Sequence, residues 1–233
     1  MRYSMCGDAA FTIELGTKAN VLLARTIASL HTSLTQCAPP GFIESIPGLT
    51  SLTVLFDPDR TSAHTLHQDI MQLAHAQLTG AVQPRAWDIP VCYEGEYAPD
   101  LLEVAKACAM SPQQVIAAHT QRPYVVYLLG FSPGFPYLGD LDPQLELPRR
   151  TEPRTRVPAG SVAIATRYCA IYPQSTAGGW HLIGRTPLTL FDARARPPAL
   201  LAVGDTVRFH AVDAHDCERI FAECATPRDL NAA

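Results

Sequence analysis

The segment Gly130-Phe131-Ser132-Pro133-Gly134 matches the G-x-S-x-G pattern of a serine nucleophile. Its chemistry fails at the next residue. A nucleophile elbow runs from strand to serine to helix, and the residue after the serine donates its N–H to the oxyanion. Here that residue is Pro133, which has no N–H, and Phe135-Pro136-Tyr137-Leu138-Gly139 cannot easily continue as helix. The segment reads instead as a rigid aromatic loop. Gly134 lets a ligand or partner approach the backbone, and Phe131, Pro133, Phe135, Pro136 and Tyr137 offer it apolar surface. The alternative is a Pro/Gly corner that fills the mouth of a barrel.

Arg149, Arg150, Arg154 and Arg156 follow within one short stretch. Pro148, Pro153 and Pro158 forbid a helix there, so the stretch is extended, and positions 150, 154 and 156 share parity along it. Arginine forks bind carboxylate and phosphate bidentately, which makes Arg150 and Arg154 candidates for an oxyanion site. The alternative is a charged strand edge that resists aggregation. Gly178-Gly179-Trp180 and Gly184-Arg185-Thr186-Pro187 add a second glycine-rich segment, with an aromatic ring at Trp180 and a further cation at Arg185.

Other chemistries find no support. No G-x-x-x-x-G-K-[ST] and no G-x-G-x-x-G occurs, so neither common phosphate cradle is present. His64, His67 and His75 share one side of a predicted helix, but spacing places no third ligand. They read as boundary residues between an apolar stripe and a polar face, and no metal or tightly bound cofactor is expected.

These residues must be positioned by a chain of 233 residues, enough for one large or two small domains. Apolar residues make up 47% and charged residues 17%, which excludes a disordered chain. A net charge of −4 gives no electrostatic case for nucleic acid, and no apolar run is long enough to span a membrane. Seven cysteines without a C-x-x-C pair, and no visible secretory signal, fit reduced thiols in a cytoplasmic protein.

Prolines divide the chain: of 20, only six precede residue 99. Residues 1–84 read as strand (Phe11–Leu15), helix (Lys18–Leu34, capped by Thr17), two strands around Pro47-Gly48, and helix (Ser62–Thr79). With a further strand at Trp87–Cys92 this approaches a ferredoxin-like α/β sandwich. Residues 85–233 open with two helices, Asp100–Cys108 and one entered by the capping box Ser111-Pro112-Gln113-Gln114. Short strands follow at Tyr124–Phe131, Arg156–Thr166, Cys169–Tyr172, His181–Arg185, Leu188–Phe191 and Thr206–Val212, then a last helix at Asp213–Glu223. Regularly spaced short strands predict a closed or nearly closed barrel, so the fold class is α+β.

Taken together, Leu129 to Gly139, Pro148-Arg149-Arg150, Pro153-Arg154, Val157 to Val162, Ile171-Tyr172-Pro173 and Gly178 to Thr186 resemble the KipI family, also called allophanate hydrolase subunit 1. The early segment around Ile46-Pro47-Gly48 is similar too. The resemblance implies a small N-terminal α/β domain and a cyclophilin-like β-barrel. It implies one of three roles: a component of an ATP-dependent complex that opens 5-oxoproline to L-glutamate, a component of urea or allophanate metabolism, or an inhibitor of a sensor histidine kinase. In the first role the chain is expected to be inactive alone. Its partners would be two homologues, one LamB/YcsF-like and the other like allophanate hydrolase subunit 2. ATP would be consumed by the complex, acting on a small amide. Arg150, Arg154 and Arg185 would then bind negative charge, and Phe131 and Tyr137 would cover a flat ring. Where the family usually reads Gly-Gly-x-Gln-Thr-Gly, this chain reads Ala165-Thr166-Arg167-Tyr168-Cys169-Ala170.

Overall fold

Alternating apolar residues oblige a strand to cover one face, and near the N-terminus a pair of helices supplies the cover. The computed structural model describes residues 2–76 and 84–225, which divide into two compact units, Met1–Arg85 and Ala86–Ala233. The first unit runs β1 (Arg2–Met5), β2 (Ala10–Glu14), α1 (Val21–Cys37), β3 (Phe42–Pro47), β4 (Ser51–Phe56) and α2 (Ala63–Ala76). Its antiparallel sheet has the order β1-β2-β4-β3. Phe11 and Ile13 of β2 and Leu52, Val54 and Phe56 of β4 meet Ile27, Leu30 and Leu34 of α1 and Leu66 and Ile70 of α2.

Two expectations are corrected here. Helix α1 starts later than Lys18 because Asn20, not Thr17, caps it, its Oδ1 accepting from Leu23 N at 2.9 Å. The strand at Trp87–Cys92, which the ferredoxin-like reading added to this sheet, belongs to the barrel. It pairs there along its whole length, and β1 folds back on β2 to occupy the sheet edge. His67 of α2 stacks on Tyr3, with ring centroids 4.5 Å apart. The His75 side chain and residues 77–79 lie outside the described residues.

The second unit runs β5 (Ala86–Cys92), α3 (Leu101–Ala107), α4 (Pro112–Thr120), β6 (Tyr124–Leu129), β7 (Pro136–Gly139), β8 (Arg154–Val157), β9 (Ser161–Ala165), β10 (Tyr168–Ile171), β11 (Thr176–Gly178), β12 (His181–Arg185), β13 (Thr206–Val212) and α5 (Ala214–Ala225). Seven strands close into a barrel in the order β10-β7-β6-β13-β5-β12-β9, while β8 and β11 form a separate ribbon. The capping box forms as expected, with Ser111 Oγ accepting from Gln114 N and Gln114 Oε1 from Ser111 N.

Strand alternation gives the barrel wall two apolar faces. Ile89, Val91, Val126, Leu138, Ile164, Ile171, Ile183 and Phe209 share one core with Val104 of α3 and Val115 of α4. Ala163, Ala170 and Leu182, one position out of phase on β9, β10 and β12, form a second cluster with Tyr172 just past β10 and with Phe135, Val157 and Trp180. The stretch Arg156–Thr166 is two strands rather than one. Gly160 between them has φ +80°, and a Cβ there would overlap the Thr186 carbonyl oxygen, so the chain must turn. Leu188–Phe191 is irregular, holding only a bridge from Phe191 to Ala199. Conversely β7, read as loop, is a strand with Pro136 at its first position, where a missing N–H is tolerated. Among the described residues no helix is long and apolar enough to cross a membrane.

Candidate functional site

The loop from β6 to β7 is held by its own backbone. Gly130 N donates to Phe135 O at 3.1 Å, and Phe135 N to Ser132 O at 3.0 Å. Gly134 has φ +75°, and a Cβ there would press on Phe191. Phe131 also lies in the left-handed region, at φ +69°, which costs a non-glycine residue about 1 kcal/mol. The Phe131 ring is 63% exposed.

Behind it stands a ladder of rings meeting edge to face. Phe131 and Phe135 have centroids 5.2 Å apart, Phe135 and Tyr137 5.1 Å, and Tyr137 and Trp180 5.8 Å. Tyr168 closes on Tyr137 at 6.3 Å. Burial raises the Tyr137 and Tyr172 phenols, the latter to about 12, so both stay protonated donors. Of the residues expected to meet a ligand or partner here, Phe131 and Pro133 are exposed and Gly134 and Tyr137 half-buried, whereas Phe135, Pro136 and Trp180 are buried beneath them and pack the barrel wall instead. The cation over this aromatic face is Arg149, its guanidinium carbon 6.0 Å from the Trp180 ring, with no carboxylate partner among the described residues.

The serine in this loop is no nucleophile. Its Oγ is buried and has no hydrogen-bond partner, so no base is in reach. Ser132→Ala should leave activity within about threefold of wild type, whereas an essential nucleophile would cost a thousandfold or more. Steady-state turnover of the variant decides between them.

Arg150 and Arg154 do not face solvent as a free anion site. The anion they bind is within the protein: Asp100, whose side chain is 3% exposed. Arg154 grips both its oxygens, Nη1 to Oδ2 at 2.9 Å and Nη2 to Oδ1 at 2.6 Å. Arg150 Nη1 donates to Asp100 Oδ1 at 3.1 Å and to Glu103 Oε2 at 3.0 Å. Leu182 N donates to Asp100 Oδ2 at 2.7 Å, which ties this clamp to the residue two beyond Trp180. Two carboxylates and two guanidiniums leave the cluster neutral. Arg156 takes neither path, donating from Nε to Ser175 Oγ at 3.2 Å.

Arg185 stands apart from both groups. Its Nε donates to Ala159 O at 2.8 Å, and the residue lines a cavity of about 210 Å³ with Tyr97, Thr186, Pro187, Cys217, Glu218 and Phe221. A further charged pair flanks the aromatic face: Arg167 Nη2 donates to Asp140 Oδ1 at 2.6 Å, and Tyr127 Oη to Asp140 Oδ2 at 2.9 Å.

Comparison with known proteins fits this architecture. A family model described as carboxyltransferase domain, subdomain C and D, matches residues 1–201. The chain belongs to this carboxyltransferase subdomain C and D family. It is 42% identical over 221 residues to the 5-oxoprolinase B subunit of Bacillus subtilis (strain 168), covering 90% of this chain and 92% of the relative. It is 40% identical over 208 residues to the 5-oxoprolinase B subunit of Escherichia coli O157:H7, covering 89% and 94%. Among solved structures it is similar to TTHA0988, with 36% identity and a TM-score of 0.77 over 88% of this chain. It spans 40% of that longer chain. The resemblance drawn from the glycine, proline and arginine segments is thereby borne out at the level of the family.

Reading the sequence gave no site role to Asp100, to Arg149 or to the Arg167–Asp140 pair. The sequence carried no signal for the first: Asp100 stands where a helix cap is expected, and only the structure shows that its side chain caps nothing. A capping-type residue freed from capping is available to an arginine cluster elsewhere.

Proposed function

We propose that this chain is the B subunit of an ATP-dependent 5-oxoprolinase of the cytoplasm, acting with a LamB/YcsF-like homologue and a homologue of allophanate hydrolase subunit 2. The carrying observation is the match to proteins named as 5-oxoprolinase B subunits, nearly end to end on both sides. Those names do not favour a kinase inhibitor or a urea or allophanate enzyme.

The aromatic face suits a flat lactam. The exposed edges of Tyr137 and Phe131 cover the ring, and Arg149, held over Trp180, meets the ring carboxylate. Arg150 and Arg154 position this face rather than touch substrate, through Asp100 and the backbone of Leu182. Pro133 and Phe131 form the tip against which a partner chain packs. The N-terminal unit is a ferredoxin-like variant whose edge strand comes from the chain start, and the barrel is of cyclophilin-like type.

Opening a lactam means breaking a resonance-stabilised amide, which ATP assists by phosphorylating its oxygen. Neither common phosphate-cradling glycine motif occurs in the sequence. That half of the chemistry belongs to the partner chains.

The test is release of glutamate from 5-oxoproline and ATP. The purified chain alone should give none, and the chain with both partners should turn over. Robust turnover by the chain alone would expose a complete active site within it, and an inert complete complex would end the 5-oxoprolinase reading.

A further inference from the structure

The cavity at Arg185 is built from residues that the aromatic face does not use. Tyr97 comes from the 3-10 turn Gly95–Tyr97, Arg185 from the end of β12, Thr186 and Pro187 from the chain beyond it, and Cys217, Glu218 and Phe221 from α5. Three of its polar groups lack partners among the described residues. The Nε–Ala159 bond fixes the plane of the Arg185 guanidinium, and its two terminal nitrogens donate to nothing. Glu218 of α5 forms no ion pair among the described residues, while Arg219 beside it pairs with Asp216 and Glu223. The Tyr97 hydroxyl makes no hydrogen bond. Burial, with the Glu218 carboxylate beside it, raises its pKa, so it remains a donor.

One cavity thus carries an unpaired cation and an unpaired anion that do not bridge it to each other. Apolar walls with a few convergent polar groups are the mark of a small-molecule site. A ligand that satisfies both charges must itself bear a carboxylate and an ammonium. We infer that this cavity binds a free α-amino acid, with Arg185 on the carboxylate and Glu218 on the ammonium. Tyr97 donates to a polar side-chain end, and Pro187 and Phe221 line the methylene stem. The volume, about 210 Å³, suits a compact metabolite. The choice of L-glutamate as the amino acid rests on the proposed function, whose product it is. The site would then hold product away from the aromatic face where substrate is placed.

The discrimination is chemical. 5-Oxoproline keeps the carboxylate, but its ring nitrogen is an uncharged amide and offers Glu218 nothing to neutralise. Glutarate keeps both carboxylates of glutamate and lacks the ammonium. Isothermal titration of the full-length chain with L-glutamate, 5-oxoproline and glutarate separates the cases. L-Glutamate should saturate with a Kd below about 1 mM, and the other two should bind at least about tenfold more weakly. Glu218→Gln, on an exposed position that does not threaten folding, should weaken L-glutamate about tenfold and leave glutarate unchanged. Arg185→Lys should weaken both, because lysine cannot supply the planar fork.

Absence of saturation by L-glutamate up to about 10 mM, or equal affinity in wild type and Glu218→Gln, overturns the inference. Because binding is read on the chain and turnover on the complex, the two readings fail separately. L-Glutamate binding with an inert complex would discard 5-oxoprolinase and keep the amino-acid site. Turnover without binding would do the reverse.

Discussion

Asp100→Ala is expected to cost the barrel unit about 3 kcal/mol. Removing one member of a buried ion pair costs about 3–5 kcal/mol, because the partner charge is left without compensation. Here two guanidiniums lose their common carboxylate, and Leu182 N loses its acceptor. The value falls at the low end because Arg150 and Arg154 keep 22% and 27% of their side-chain surface in water. Asp100→Asn should cost less, since an amide oxygen still accepts from Leu182 N. Arg154→Lys should cost more than Arg150→Lys, since only Arg154 spans both carboxylate oxygens and lysine has no fork.

Urea titration followed by tryptophan fluorescence makes the measurement specific. The chain has 2 tryptophans, Trp87 and Trp180, and both lie in the barrel unit. A cost under about 0.5 kcal/mol for Asp100→Ala would mean that the arginines are solvated surface charge. They would then again be candidates for binding an external anion.

What the sequence made legible follows from the range of the forces involved. Local signals survived: the Ser111 capping box, the hairpin around Pro47-Gly48, and the strands His181–Arg185 and Thr206–Val212 all stand where pattern and turn chemistry put them. The turn over Phe131–Phe135 was legible too, because Pro and Gly fix backbone geometry within a few residues, whereas the pairing of Pro136–Gly139 as a strand was not. Pairing at long range was not. Nothing local says that β5 will pair in parallel with β13, more than a hundred residues away, rather than close the first sheet. Charge pairing failed for the same reason. The arginines at 150 and 154 looked free because their carboxylate lies some fifty residues upstream, at what reads as an ordinary helix start. Arg185 was singled out as a cation, but its counterpart Glu218 sits on a helix that carried no signal of a site.

The barrel core holds one titratable group whose effect is large and has a definite sign. His119 of α4 is fully buried, with its Nδ1 2.7 Å from Tyr93 Oη and its Nε2 3.2 Å from Cys169 Sγ. Its ring stacks on Phe209, with centroids 4.6 Å apart, and Tyr124 Oη donates to its carbonyl oxygen. No carboxylate touches it, and burial raises both the Tyr93 phenol and the Cys169 thiol, so neither offers a counter-charge. Desolvation therefore pulls the imidazole down to about 3 from its ordinary 6.5.

In the unfolded chain His119 takes up a proton near pH 6.5, and in the folded chain it resists until about pH 3. Its contribution to stability is thus complete above pH 6.5 and is lost as pH falls toward 3, at about 1.4 kcal/mol per pH unit. Near pH 4.5 the loss should reach about 2–3 kcal/mol. His119→Gln removes this proton while keeping a donor and an acceptor for Cys169 and Tyr93. The variant should be less stable than wild type at pH 7.5, through lost packing on Phe209, and the two should converge as pH falls. His31 and His67, also lowered by burial, remain in both proteins and cancel in the difference. Urea titrations at several pH values between 7.5 and 4.5, read by tryptophan fluorescence, give that difference directly. Parallel curves would show that the imidazole is protonated inside the barrel or reached by water, and that this core is not the dry one its geometry describes.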